Sequence, residues 1–65
     1  MAGDLDDLRQ RLENISSEIG DLALDRLRAA LDGADGNPAA QERLLTRARR
    51  SVDKAGLLLR QADEL

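Results

Sequence analysis

The fold of this chain is decided by residues 5–22, which read LDDLRQRLENISSEIGDL. Their apolar side chains recur at alternating steps of three and four residues, a period that lines one face of an α-helix. They are Leu5, Leu8, Leu12, Ile15, Ile19 and Leu22. The same period returns in the second half of the chain, at Leu45, Ala48, Val52, Ala55, Leu59 and Ala62. The sequence therefore predicts two amphipathic helices, without the alternation that is typical of β-strands.

The segment DGADGNP at residues 32–38 separates the two helices. Gly33 can adopt the left-handed conformation that ends a helix, and Asn37 followed by Pro38 is suited to begin the next one. At the start of the chain, the Asp4 carboxylate can cap the free amides of the first turn. We therefore predict a single helical-hairpin domain over residues 1–65, with a helix at 4–32, a loop at 33–37 and a helix at 38–63.

Folding the chain back at this loop brings the two apolar stripes together with a constant sum of residue numbers, 70 or 71. The pairs are Leu22 with Ala48, Ile19 with Val52, Ile15 with Ala55, Leu12 with Leu59, and Leu8 with Ala62. A large side chain meets a small one in alternate layers, as close packing of antiparallel helices requires. The predicted fold is all-α, an antiparallel two-helix hairpin of the coiled-coil type.

The composition excludes several kinds of chemistry. The 65 residues include no Cys, no His and no aromatic residue, so the usual zinc ligands, a thiol nucleophile and an imidazole base are missing. We expect no catalytic residue, no cofactor and no metal site, and hence no enzyme. A core of this size without disulfides or a structural metal is marginally stable, which predicts an oligomer.

Signals for export or membrane insertion are not evident. The acidic opening of the chain lacks a basic stretch followed by an apolar one, so a secretory signal is not expected. The longest apolar run, Leu57 to Leu59, is far shorter than a membrane span. We expect a cytoplasmic protein without membrane contact, and nine Arg against one Lys suggest a GC-rich bacterial genome.

A second apolar stripe accompanies the first. It comprises Gly20, Leu24, Leu27 and Leu31 on the first helix, and Leu44, Leu58 and Leu65 on the second. A two-helix hairpin cannot cover both stripes, and exposed apolar patches usually mark interfaces. We predict homodimerisation into a four-helix bundle, with docking of another protein, or leucines without a role, as the alternatives. The predicted interface, a Leu-rich groove, comprises Leu24, Leu27, Leu31, Leu44, Leu58 and Leu65.

Arg26 interrupts the first stripe, because continuing the heptad from Leu22 places its charge on the apolar face. A charge there must find a partner or extend to solvent, and we expect a pair with Glu42 on the second helix. A contact with a ligand anion is one alternative. The other is a longer repeat that turns Arg26 outward. In that case Ala23, Leu27 and Ala30 take over the contact with the second helix.

A basic ridge runs along the second helix at steps of four, three and four residues. It is defined by Arg43, Arg47, Arg50 and Lys54. The ridge and Arg26 are candidate contacts for an anion or an acidic protein. A solvated surface without a role is the plainer interpretation of the ridge.

The charge is divided between the halves of the chain. Residues 1–36 carry nine acidic and four basic residues, whereas residues 37–65 carry four acidic and six basic residues. Opposite signs favour antiparallel pairing of the two helices. The overall charge of −3 and the lack of aromatic side chains argue against nucleic acid as a partner.

Residues 8–26, LRQRLENISSEIGDLALDR, resemble the first helix of the all-helical chorismate mutases. In that family an Arg near the start of the helix and another 17 residues later bind the substrate's carboxylates. Arg9 and Arg26 have this spacing. The resemblance implies a mutase-like first helix, but residues 37–65 show no counterpart of the family's remaining helices.

Residues 42–57 resemble the signature of helical anti-sigma proteins that bind cyclic di-GMP on an antiparallel hairpin. That signature runs Glu, three residues, Ser, two, Arg, three, Gln, three, Asp. Glu42, Thr46 and Arg49 occupy the first three positions, with Thr in place of Ser. Asp53 and Leu57 stand where Gln and the final Asp belong, so the resemblance implies nucleotide binding by an incomplete motif.

These patterns together predict a non-enzymatic protein–protein interaction module, a homodimeric hairpin that acts as an adaptor, scaffold or regulator. The alternative is a small regulator that binds nucleic acid or a nucleotide second messenger through the basic ridge.

Overall fold

The computed structural model describes the backbone of residues 2–65 and the side chains of residues 3–65. Two helices, α1 (Ala2–Leu31) and α2 (Pro38–Asp63), pack against each other as an antiparallel hairpin that measures 49 × 14 × 12 Å. The all-α hairpin is thus confirmed. The described part of α1 begins at Ala2, which places Asp4 inside the first turn and not at the N-cap position.

The conformation of the loop is set by its glycine residues. Gly33 has a φ of +74°, its amide donates to the Ala30 carbonyl, and the Ala34 amide donates to the Ala29 carbonyl. This pair of bonds is the Schellman arrangement, which satisfies carbonyls at the end of α1. Asn37 stands at the N-cap of α2 as predicted, but its side chain makes no capping hydrogen bond.

The contact between the helices, called the seam below, differs from the predicted one on α1. Ser16 and Ala23 are buried, with 6% and 8% of their surface exposed, whereas Ile15 and Leu22 are each 42% exposed and Leu8 is 45% exposed. Three of the six predicted α1 positions remain half-buried in the seam, namely Leu5, Leu12 and Ile19. Leu8, Ile15 and Leu22, predicted at the centre of the seam, lie instead at its edge, where Leu22 lines a shallow cavity together with Ala48.

The physical reason for this shift is side-chain size. Small side chains at Ser16 and Ala23 allow the helix axes to approach closely, and the larger neighbours then turn to one side. On α2 the predicted seam residues agree better with the observed burial. Leu45, Val52, Ala55 and Leu59 are half-buried, and Ala48 and Ala62 are exposed.

The hairpin is extended for its mass. Its radius of gyration is 15.0 Å, against about 11 Å for a compact chain of this length. Its accessible surface is 5077 Å², whereas a compact monomer of equal mass exposes about 4,100 Å². Within the described residues, Ala23 alone is a buried apolar side chain, and none is fully enclosed. A single hairpin therefore has very little core.

Candidate interaction surfaces

One side of the hairpin, next to the seam, is apolar and is called the apolar flank. On α1 it carries Leu8, Ile15 and Leu22, each one heptad from the next. On α2 it carries Leu44, Ala48, Ala55, Leu58 and Ala62, at steps that keep them on one face. A shallow cavity of about 440 Å³ opens here, lined by Leu22, Arg26, Gln41, Leu44, Leu45 and Ala48. Both helices contribute to one open apolar surface.

The opposite side, called the polar flank, has a different character. A cavity of about 250 Å³ opens there between Arg9, Leu12, Glu13, Val52, Asp53, Gly56, Leu57 and Arg60. The Arg9 guanidinium lies 2.6 Å from an Asp6 oxygen and 3.7 Å from a Glu13 oxygen. The hydrogen bond and charge of Asp6 raise the pKa of Arg9. The Arg9 guanidinium is therefore already paired with acidic side chains of α1.

A polar cluster crosses the seam between the flanks. The Ser16 hydroxyl donates to an Asp53 carboxylate oxygen at 2.6 Å and accepts from Nε of Arg49 at 3.1 Å. The Arg49 guanidinium lies over Gly20, where an added Cβ would come within 2.7 Å of it. Sequence reasoning missed Ser16. The sequence does contain a signal for Ser16, because residues 9, 16 and 23 are spaced by seven, as residues 8, 15 and 22 are, and so form an alternative row along α1.

The structure divides the predicted leucine interface into separate sets. Leu44 and Leu58 are exposed on the apolar flank. Leu24 is exposed about 200° around α1 from Leu22, since each residue turns the helix by about 100°. Leu27 and Leu31, also exposed, lie on the same side as Leu24, and Leu65 lies beyond the end of α2. One hairpin therefore does not join these leucines into the single groove that was expected.

Arg26 does not make the predicted pair with Glu42. Its guanidinium lies 2.7 Å from an oxygen of the adjacent Asp25, with about a third of the side chain exposed. Glu42 instead accepts a hydrogen bond of 2.8 Å from the Thr46 hydroxyl. Arg26 lines the apolar cavity together with Gln41. Its charge therefore sits at the rim of the apolar flank, paired locally.

The basic ridge faces solvent. Arg43, Arg47, Arg50 and Lys54 are all exposed, on the side of α2 that points away from α1. Among the side chains of residues 3–65, none of the four makes an ion pair. The ridge is therefore available to an acidic partner.

The residues that carry the two resemblances are placed as follows. Arg9 and Arg26 line different cavities on opposite flanks, about 25 Å apart along α1. A single chain does not bring them to one substrate. Glu42, Thr46 and Arg49 lie along the polar side of the seam, where Thr46 donates to Glu42 and Arg49 donates to Ser16. Contacts within the hairpin therefore involve all three.

Neither helix contains, among the described residues, a stretch both long and apolar enough to cross a membrane. In residues 3–65, no three carboxylate side chains converge in a way that could hold a metal ion. No protein-family model matches this chain, and comparison with curated proteins and with solved structures gives no significant match.

Proposed function

We propose that this chain is a non-enzymatic protein–protein interaction module that works as a homodimer, in which two hairpins join through their apolar flanks to form a four-helix bundle. The observation that carries the proposal is the apolar flank itself. Its large side chains remain exposed while the hairpin encloses little more than Ala23 and Ser16; they are Leu8, Ile15, Leu22, Leu44 and Leu58. Exposed apolar surface shared by two helices is typical of an interface.

The exposed area matches the need of a dimer. The hairpin exposes about 1,000 Å² more than a compact monomer of its mass, and a standard interface removes about 800 Å² from each partner. A second copy supplies a flank of the same length and character. Because a two-fold interface uses the same surface of both copies, a self-complementary flank can form a dimer without any other partner.

The flank also has the layout of a specific interface. Apolar side chains occupy its centre, and the charged Arg26 lies at its rim, held by Asp25. An apolar centre with a polar rim excludes water from the contact and leaves the charges hydrated. A bundle built in this way would present the polar flank and the basic ridge twice, as an adaptor, scaffold or regulator requires.

Sedimentation equilibrium over a wide concentration range tests the proposal, with circular dichroism on the same samples. We expect a helical dimer. Leu58→Glu and Ile15→Glu should weaken association at least tenfold, since each places a charge on the apolar flank. Leu57→Glu is the matched control. Leu57 and Leu58 are neighbours with similar exposure, 46% and 53%, but Leu57 lines the cavity on the polar flank.

Two results would contradict the proposal. One is a parent chain that stays a helical monomer at millimolar concentration. The other is equal weakening by Leu57→Glu and Leu58→Glu, because the association would then not depend on the apolar flank.

A second candidate function rests on the exposed, unpaired basic ridge, whose four cations could bind the phosphates of a nucleic acid or nucleotide. Fluorescence anisotropy of a labelled DNA duplex at increasing NaCl tests it. Four phosphate contacts would give a slope of log K against log salt of about −3.6. Absence of binding at low salt, or binding that survives Arg47→Ala with Arg50→Ala, would exclude this candidate for duplex DNA.

A further inference from the structure

The apolar flanks of two hairpins can meet in two ways that keep neighbouring helices antiparallel. In one, both loops lie at the same end of the bundle and α1 of each copy lies beside α2 of its partner. In the other, the loops lie at opposite ends, so α1 lies beside the partner's α1 and α2 beside the partner's α2. The size and charge of the side chains distinguish these arrangements.

Side-chain size favours α1 beside α2 of the second copy. The α1 part of the apolar flank carries large side chains, Leu8, Ile15 and Leu22, and each remains more than 40% exposed. The α2 part carries small side chains at three regular levels, Ala48, Ala55 and Ala62, with Leu58 between two of these levels and Leu44 beyond them. With α1 against α1, large side chains would face large ones; with α1 against α2, they face alanines, as close packing prefers.

The levels of these residues also agree. Contacts across the hairpin join Ser16 to Asp53 and Arg49, with residue-number sums of 69 and 65. When both loops lie at one end, the same levels hold between copies. Leu8, Ile15 and Leu22 then lie near the second copy's Ala62, Ala55 and Ala48, because each of these pairs sums to 70.

Charge favours the same arrangement. The outer face of α1 carries three exposed acidic residues, Glu18, Asp21 and Asp25. With both loops at one end, residues whose numbers sum to about 70 lie at the same level, which places these acidic residues beside the basic ridge at residues 43–54 of a second copy. With loops at opposite ends, the ridge, which lies near the midpoint of α2, would face the second copy's own ridge. Like charges in that position repel and opposite charges attract, so the interface discriminates between the orientations.

We infer that the partner on the apolar flank is a second copy of this chain, docked with both loops at the same end and with α1 of each copy beside α2 of the other. This inference rests on the proposed function and adds its orientation. The two loops and their surroundings then form one end of the bundle, and Leu24, Leu27 and Leu31 of both copies are presented near that end.

Distances between spin labels on two copies test the orientation. The chain contains no Cys, so Ala34→Cys labels the loop and Ser17→Cys labels the middle of the hairpin. Loops at the same end give a distance across the bundle of about 30 Å or less between Ala34→Cys labels. Loops at opposite ends give a distance that approaches the 49 Å length of the hairpin.

The two labels separate the possible failures. Short distances at both positions support the inferred orientation. A short distance at Ser17→Cys with a long one at Ala34→Cys overturns the orientation but leaves the dimer intact. No coupling between copies at either position overturns the dimer and, with it, the inference.

The salt dependence of association supplies an independent readout. In the inferred orientation, salt screens the attraction between the acidic face of α1 and the basic ridge, so association should weaken several-fold between about 50 and 500 mM NaCl. Asp21→Lys with Asp25→Lys should weaken it further at low salt. Association at low salt that the double variant leaves unchanged or strengthens would show that the acidic face of α1 does not lie beside the ridge and would overturn the inference.

Discussion

Replacing Ser16 by alanine tests the polar cluster in the seam. Ser16 is buried, and its hydroxyl donates to Asp53 at 2.6 Å while it accepts from Arg49 at 3.1 Å. Removing the hydroxyl deletes both bonds across the helices and leaves the two charged groups without this partner. Because Asp53 and Arg49 are themselves exposed, water replaces the lost partner on each of them. The cost is therefore lower than for a fully buried cluster.

The magnitude follows from three contributions. A hydrogen bond to a charged group contributes about 1.5–3 kcal/mol. Rehydration of Asp53 and Arg49 reduces the loss of both bonds together to about 1–2 kcal/mol. Alanine is the better helix former by about 0.5 kcal/mol. We expect Ser16→Ala to lower the free energy of unfolding by about 1 kcal/mol, which lowers Tm by about 4–8 °C.

Urea denaturation followed by circular dichroism at one fixed chain concentration measures this change. The control is Ser17→Ala, since Ser17 is the same residue type in the same helix but is exposed. Ser17→Ala should raise the free energy of unfolding by up to about 0.5 kcal/mol through helix propensity alone. If the two variants shift stability equally, the hydroxyl of Ser16 contributes nothing and the cluster does not hold the seam.

Four further substitutions are tested by the same assay. Gly56→Ala should raise the free energy of unfolding by about 0.5–1 kcal/mol, because a Cβ there meets no atom within 4 Å. Gly20→Ala should raise the free energy of unfolding by less, because its Cβ comes within 2.7 Å of the Arg49 guanidinium. In an Arg49→Ala background, Gly20→Ala should give the full increase. Equal gains in both backgrounds would contradict that contact. Gly33→Ala should cost about 1 kcal/mol, since its φ is +74°, and no loss would mean that the loop reorganises freely. Ala23→Leu should cost about 1–3 kcal/mol by overpacking the seam; an unchanged midpoint would place Ala23 outside the contact.

Local signals predicted the helices and the loop because their causes lie within a few residues. Gly33 ends α1 with backbone bonds to Ala29 and Ala30, and Pro38 begins α2. Competition between local partners accounts for the Arg26 error. Asp25 stands next to Arg26 in the chain, so the pair forms without help from tertiary packing.

The face of α1 that meets α2 could not be predicted in the same way. Leu5, Leu12 and Ile19 belong equally to a stripe with residues 8, 15 and 22 and to one with residues 9, 16 and 23. Hydrophobicity alone selects the first stripe. Packing selects the second, because Ser16 and Ala23 permit close approach and the Ser16 hydroxyl finds partners on α2. Those partners lie more than 30 residues away, beyond the reach of local sequence patterns.

The difference between the predicted and observed seams itself supports association. Apolar periodicity reflects the burial of side chains in the complete assembly, whichever chain covers them. The half-buried layers of the hairpin include Ile19 with Val52 and Leu12 with Leu59, whose sums are 71. The layers with sums of 70 involve Leu8, Ile15 and Leu22, which one hairpin leaves exposed. In the proposed dimer, a second copy with its loop at the same end would place alanines at those levels, so both sets of layers would be used at once. In this proposal the regular heptad of α1 has a single cause, since one part of it would pack within the chain and the other part between chains.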